Sequence, residues 1–458
     1  MNSIDCINPF TNKVAANYSL ESDIPKKVKL AHDAFLHWKK FPVVKRAEIL
    51  KQCLNYFEQH REQIANDITE QMGKPLSQSN GEINALFERA HFLINAASES
   101  LQDDILPQKT GFNRKIVHEP LGVVLVLAAW NYPLLIAING VLAALLSGNS
   151  VLLKHSSNTP AIGQHFQNAF GNIEECPDLL QNLILDHQQT SGLITGGGIN
   201  HVIFTGSATG GKNIYSSVSK TFIDCQLELG GKDGAYIAED ADLDHAAQSI
   251  VDGSMYNAGQ SCCGIERVYV HRDIYEPFVE KCSVLLQRYI LGDPKKPDTD
   301  MGPLVNANAA IEMEKQIADA VEKGAKVICG GKRKLVDKAV FFEPTLLVNV
   351  DHTMLVMREE NFGPILPIMK VDHADQAIDL INDSDYGLTA AVFTKDETKA
   401  SQWSERLEAG TIFMNRCDYL DPALPWTGYK NSGKGSGLSK YCFHSLTRLK
   451  SIHFKNIL

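Results

Sequence analysis

Four short, largely apolar runs rich in Leu and Val are the strongest constraint on how this chain folds. They are LGVVLVLAA (121–129), SVLLK (150–154), NLILD (182–186) and HVIFTGS (201–207). Each is strand length, and the stretches between them suit helices. Runs without polar alternation read as strands covered on both faces, which is the signature of a parallel sheet. A sheet of this kind takes ligands at the carboxyl ends of its strands. Trp130, Asn131, Lys154, Gly206 and Ser207 all fall there.

The remaining chain divides around this block. Pro25 to Leu101 has helical periodicity (Ala47, Leu50, Leu54, Phe57, then Ile64 and Ile68), with Gly73-Lys74-Pro75 ending one helix. Pro133 opens a further helix, where its missing N–H costs nothing. RVYVH, AVFTKD and GTIFMN read as strands of a second α/β region, about 231–428. Arg114–His118 and LTRLKSIHFKNI read as strands of a small arm. With 458 residues the chain is too long for one core.

Several function classes are disfavoured. A net charge of −10 argues against nucleic acid and anionic membranes as partners. Leu121 to Leu153 carries no charge and is long enough to span a bilayer. WNYP interrupts it, so a buried strand, a turn and a buried helix are expected instead. The ten cysteines lack metal-ligand spacing, so no metal is expected. Reduced thiols in a cytoplasm are the expectation, and the start of the chain has no basic-then-apolar signal pattern.

Two segments carry reactive groups. Cys262 in NAGQSCCG follows a polar, turn-forming run whose backbone N–H groups can stabilise a thiolate or a nearby oxyanion. Glu228 in ELGGKD is followed by two glycines that let backbone approach a ligand, and it could activate water. FTGSATGG is a strand-to-helix turn suited to phosphate, although it lacks the standard G-x-G-x-x-G spacing.

In order, WNYP, VLLKHSS, FTGSATGG, ELGGKD, NAGQSCCG, EENFGP, GTIFMN and PWTGYKNSG resemble the aldehyde dehydrogenase superfamily, in its short bacterial-type, non-acylating form, over essentially the whole chain. The resemblance implies an α/β fold. A Rossmann-like parallel-sheet cofactor domain (1–104 and 122–230) accompanies a second α/β catalytic domain (231–428). A small β oligomerisation arm (105–121 and 440–458) completes the chain and makes it a homodimer or homotetramer. The resemblance also implies oxidation of an aldehyde to a carboxylic acid with NAD or NADP, through a thiohemiacetal and a thioester on Cys262.

For the residues it implies the following. Cys262 is the nucleophile and Cys263 its non-catalytic neighbour. Asn131 and the Cys262 N–H hold the oxyanion, and Glu228 is the base for hydrolysis. Lys154 binds the adenosine ribose and is also counted with the catalytic set. Trp130, Gly206, Ser207, Gly211 and Leu229 lie along the dinucleotide. Glu360 and Phe362 serve the nicotinamide ribose.

Two departures bear on specificity. Where the family often has proline after the lysine and glutamate three beyond it, this chain has His155 and Ser157. A glutamate repels a 2′-phosphate, so Ser157 admits NADP. The two arginines of succinic semialdehyde members are replaced by Asn139 and Tyr256. Leu135, Ile136, Tyr256 and Trp426 suggest a mainly apolar or aromatic-lined tunnel and a neutral aldehyde. Arg416 at the expected mouth keeps a succinic semialdehyde reading open. Coenzyme A-acylating relatives usually lack the glutamate of ELGG, and a non-catalytic structural protein would have no reason to keep these residues.

Overall fold

Three of the four apolar runs become strands in place, and the fourth shifts. In the computed structural model, which describes residues 3–456, Val123–Ala128, Ser150–His155 and His201–Thr205 are strands. The third strand is Leu180–Asn182, not NLILD. Leu183 and Leu185 stay buried, but Asp186 forms a capping box with Gln189 at the start of the helix His187–Thr195. That cap pulls the backbone out of the sheet.

These strands form a six-stranded sheet. Its order is Gly433–Lys434, Asp224–Glu228, His201–Thr205, Val123–Ala128, Ser150–His155, Leu180–Asn182. All neighbours are parallel except Gly433–Lys434. The chain starts in the middle, works outward to one edge, then returns to the other side. The reversal falls between Val123–Ala128 and His201–Thr205, which opens a crevice at their carboxyl ends.

A second sheet of seven strands runs Lys326–Cys329, Thr345–Val348, Ile365–Val371, Ile265–His271, Asp233–Ile237, Thr389–Phe393, Thr411–Met414. It too is parallel but for one edge, Lys326–Cys329. The segment 229–232 carries the chain from the first sheet to the second, so ELGGKD lies where the two sheets meet.

The expected N-terminal helices are Ile24–Trp38, Val43–Cys53, Asn55–Gln59, Arg61–Met72 and Leu76–Ser100. Gly73, at φ 83°, closes the fourth. The uncharged stretch is a strand, the helix Pro133–Leu146 with proline in its first turn, and another strand. Among the described residues no helix is long and apolar enough to cross a membrane.

The arm is a three-stranded antiparallel sheet, Thr447–Lys455, Phe112–Pro120, Asp104–Ile105. Thr447–Lys455 is an edge strand, with Leu449 and Phe454 exposed on it. Ile457 and Leu458 of the expected arm lie outside the described residues. Past 428 the chain also returns Gly433–Lys434 to the first sheet. The hairpin of Ser3–Asn8 with Lys13–Ser19 had no counterpart in the sequence reading.

Candidate active site

Sheet register places Glu228. It ends the strand Asp224–Glu228 and stands directly beside Thr205. Its carboxylate accepts from Thr205 Oγ1 at 3.1 Å and from Gln226 Nε2 at 2.8 Å. Burial raises its pKa above the usual glutamate value, and these two donors oppose the rise.

Cys262 sits on the loop between the helix Leu243–Met255 and the strand Ile265–His271. Three consecutive residues before it, Asn257, Ala258 and Gly259, are left-handed, at φ 55°, 56° and 68°. Only the last is a glycine, and a Cβ there would meet the Gly363 backbone at 2.3 Å. Left-handed Asn and Ala cost about 1 kcal/mol or more each, so surrounding bonds must hold the turn. Asn257 Nδ2 donates to the carbonyls of Asn131 and Gln260, both at 3.1 Å. Gln260 Nε2 returns a bond to Asn257 O, and its Oε1 accepts from Val305 N.

The neighbouring thiols differ. Both line the cavity described below, but Cys262 is half-buried and Cys263 is buried. Cys263 Sγ donates to Asp418 Oδ1 at 3.0 Å, and Ser261 Oγ donates to the same oxygen at 3.0 Å. The Cys263 thiol is pushed well above the usual range by its contact with Cys262 and by burial. Burial also lifts Asp418 to about 7. Asn131 is buried. Among the described residues neither its side-chain amide nor the Cys262 N–H donates to a protein acceptor. Both remain available to an oxygen ligand.

The cofactor candidates gather on the crevice side. Ser207 caps the helix Ala208–Val218, its Oγ accepting from Gly210 N at 3.1 Å, and that helix has no acid in its first turn. Gly206 and Gly211 serve close packing: a Cβ on Gly211 would meet Leu229 Cδ2 at 2.5 Å, and one on Gly206 would meet Phe204 Cζ at 2.7 Å. Trp130 and Phe362 pack edge to face at 5.6 Å. Lys154 is half-buried at the end of its strand, its pKa lowered by burial. Ser157 is exposed in the following turn.

Glu360 accepts from Gly231 N at 3.1 Å, and its pKa is raised to about 8, chiefly by burial and then by Glu266. A desolvated carboxylate with one weak donor is suited to the hydroxyls of a ribose, so these residues fit a dinucleotide. The sequence reading missed what builds this corner. Glu266 accepts from the Asn361 and Phe362 N–H groups, each at 2.9 Å, and pairs with buried Lys232 at 2.7 Å. Both lie within or beside quoted motifs, so a search for buried charge pairs there could have found them.

Cys262 and Glu228 open onto one cavity of about 280 Å³. Leu135, Ile136, Tyr256 and Trp426 line it, and so does Asn139. Arg416 does not: it is exposed, with its guanidinium 3.7 Å from the centre of the Tyr419 ring. The cavity is more polar than the expected tunnel. Glu82, Glu88, Asp252, Asp418 and Arg89 line it as well. Arg89 was missed because its helix offers only periodicity, which does not say which polar residue looks into a cavity.

Three comparisons bear on this geometry. Residues 1–452 match the model of the aldehyde dehydrogenase family. The succinate-semialdehyde dehydrogenase [NADP(+)] of Deinococcus radiodurans is 32% identical, over 97% of this chain and 94% of that protein. The D-glyceraldehyde dehydrogenase (NADP(+)) of Thermoplasma acidophilum is 31% identical, over 98% and 92%. The crystal structure of betaine aldehyde dehydrogenase from Staphylococcus aureus in complex with NAD+ superposes with a TM-score of 0.94 at 29% identity, covering 99% of this chain and 92% of that one.

Proposed function

The chain belongs to the aldehyde dehydrogenase family, and from that premise we propose that Cys262 is its nucleophile, Glu228 its general base and Asn131 its oxyanion donor. The family reaction is oxidation of an aldehyde to a carboxylic acid with NAD or NADP. The observation that carries the residue assignment is the shared cavity: a half-buried thiol and a buried carboxylate from different sheets line one space. Asn131 is not among the residues that line it, and its role is supported by the bond that ties its loop to the Cys262 turn, Asn257 Nδ2 to Asn131 O.

The chain's own groups do the following. The Cys262 sulfur adds to the aldehyde carbon, forming a C–S bond and leaving negative charge on oxygen. The Asn131 amide and the Cys262 N–H bind that oxygen, and losing one such donor costs about 3 kcal/mol of barrier. A bound NAD or NADP would supply the hydride acceptor for that carbon. The acyl group is then a thioester on Cys262. Glu228 takes a proton from water, which attacks the thioester carbon and frees the thiol. Burial raises its pKa, which makes it a stronger base than an exposed glutamate. Trp130, Lys154, Ser157, Ser207, Leu229, Glu360 and Phe362 would hold the dinucleotide.

The test is a pair of variants. Cys262→Ser should abolish hydride transfer and leave cofactor binding intact. Glu228→Gln should give a burst of reduced cofactor followed by slow turnover. A Glu228→Gln enzyme with no burst and equally slowed hydride transfer overturns the role given to Glu228.

Two further readings concern the whole molecule. Assembly as a homodimer or homotetramer is supported by the arm's open edge, where Thr447–Lys455 exposes Leu449 and Phe454. Light scattering showing a stable monomer at micromolar concentration would refute it. A cytoplasmic location is supported by ten free cysteines, none in a disulfide.

A further inference from the structure

We propose that Arg89 is the specificity residue of the Cys262 cavity and that it holds the carboxylate of an aldehyde carrying one at its far end. The proposal rests on the reading of Cys262 as nucleophile.

Arg89 lies on the helix Leu76–Ser100, two turns beyond Glu82, so both face the same way. Both line the cavity that Cys262 and Glu228 share, and among the described residues Arg89 is the only Lys or Arg that does. It is 8% exposed. A guanidinium carries five donors and stays charged. Among the described residues this one donates a single weak bond, Nη1 to Asn139 Oδ1 at 3.4 Å.

The facing acids are already engaged. Glu82 pairs with Lys74 at 2.5 Å and accepts from the N–H groups of Leu134 and Leu135. Glu228 is held by Thr205 and Gln226, and Asp418 by Ser261 and Cys263. Glu88 accepts from Tyr419 OH at 2.9 Å. Asp252, the remaining acid of the cavity wall, makes no hydrogen bond or ion pair with Arg89 among the described residues, and Glu82 and Glu228 act on its charge only at a distance. That leaves a desolvated cation with open donors in the substrate space, and burial of such a charge is costly unless a ligand completes it. A carboxylate fits best, because it accepts two parallel N–H bonds from one guanidinium. Asn139 fixes one edge of the fork and leaves the rest to the substrate.

The experiment compares ω-carboxy aldehydes with neutral alkanals of matched chain length. Wild type should favour the carboxylate series in kcat/KM by roughly a hundredfold, and Arg89→Gln should erase that preference through KM. The variant should keep its kcat on the neutral series, and Arg89→Lys should recover part of the preference. As a second readout, a saturated dicarboxylate should protect Cys262 from iodoacetamide in wild type and fail to do so in Arg89→Gln. Equal use of both series by wild type overturns the proposal, as does a preference that survives Arg89→Gln. Loss of all activity on Cys262→Ser, with Arg89→Gln still active on alkanals, separates this proposal from the nucleophile assignment.

Discussion

The side-chain amide of Asn257 donates to the backbone carbonyl of Asn131 at 3.1 Å. This bond ties the left-handed turn that presents Cys262 to the loop that carries the proposed oxyanion donor. The two loops come from different sheets, so the bond sets the spacing of the proposed nucleophile and the proposed oxyanion site. Asn257→Ala should therefore lower kcat/KM by tenfold or more with cofactor affinity unchanged. Asn257→Gly is the control, because glycine accepts the left-handed conformation but cannot make the bond. If Asn257→Gly is fully active, only the turn geometry matters and the tie is dispensable.

Cys263 should prove dispensable for chemistry. Its thiol is buried and committed to Asp418, so Cys263→Ala should retain most of kcat while costing roughly 1–2 kcal/mol of stability through the lost contact. Activity and thermal melts on Cys263→Ala and Cys262→Ala decide it. An inactive Cys263→Ala beside an active Cys262→Ala would reverse the assignment.

Cofactor choice should turn on Ser157. It is exposed in the turn after the strand that carries Lys154, and it brings no negative charge toward a 2′-phosphate. NADP should be used within about tenfold of NAD in kcat/KM, a gap of ~1.4 kcal/mol. Ser157→Glu should weaken NADP selectively, because a carboxylate repels the phosphate. His155 adds no charge there. Its Nδ1 accepts from Ser156 N and its Nε2 donates to Pro133 O, and burial lowers its pKa to about 4. Wild type that rejects NADP by a thousandfold would place the discrimination elsewhere.

Two buried histidines should make part of the stability pH-dependent. Burial lowers both His155 and His201 to about 4 from 6.5. The folded protein keeps them neutral, so their contribution is complete above pH 6.5. It is lost as pH falls toward 4, where the unfolded chain binds protons that the folded one refuses. Each is worth about 3 kcal/mol at most. Asp418 and Glu360, raised to about 7 and about 8, act with the opposite sign over an overlapping range. The measurement is therefore a difference. The melting temperature of wild type minus that of a His155→Gln, His201→Gln variant should decrease as pH is lowered from 7 to 4.5. A constant difference would mean that the histidines titrate normally.

Much of this site was legible because its parts are local. Cys262, Glu228 and Asn131 each sit in a short polar segment next to an apolar run, and the runs locate the strands. What was not legible depends on distant contacts. NLILD has a strand's composition, but the Asp186 cap ends the strand before it. Arg416 looked like a tunnel residue by sequence position, yet it does not line the cavity itself and stacks on Tyr419, which does. Arg89 looked like any helical arginine, and only the packing of its helix against Pro133–Leu146 aims it inward. Glu266 reads as a strand residue until the 361–362 backbone is seen to hang on its carboxylate.

The pairing of Thr205 with Glu228 has a consequence for how activity should be counted. Side chains alternate across a strand, so a slip of one residue between these neighbours would turn the carboxylate to the opposite face of the sheet. Such a molecule would keep its composition, its secondary structure and its thiols, yet on the roles proposed for Cys262 and Glu228 it would acylate once and stop. The ratio of steady-state turnover to acylation burst in a refolded sample therefore measures the fraction of molecules whose strands found the right register, which circular dichroism and thiol titration would both miss.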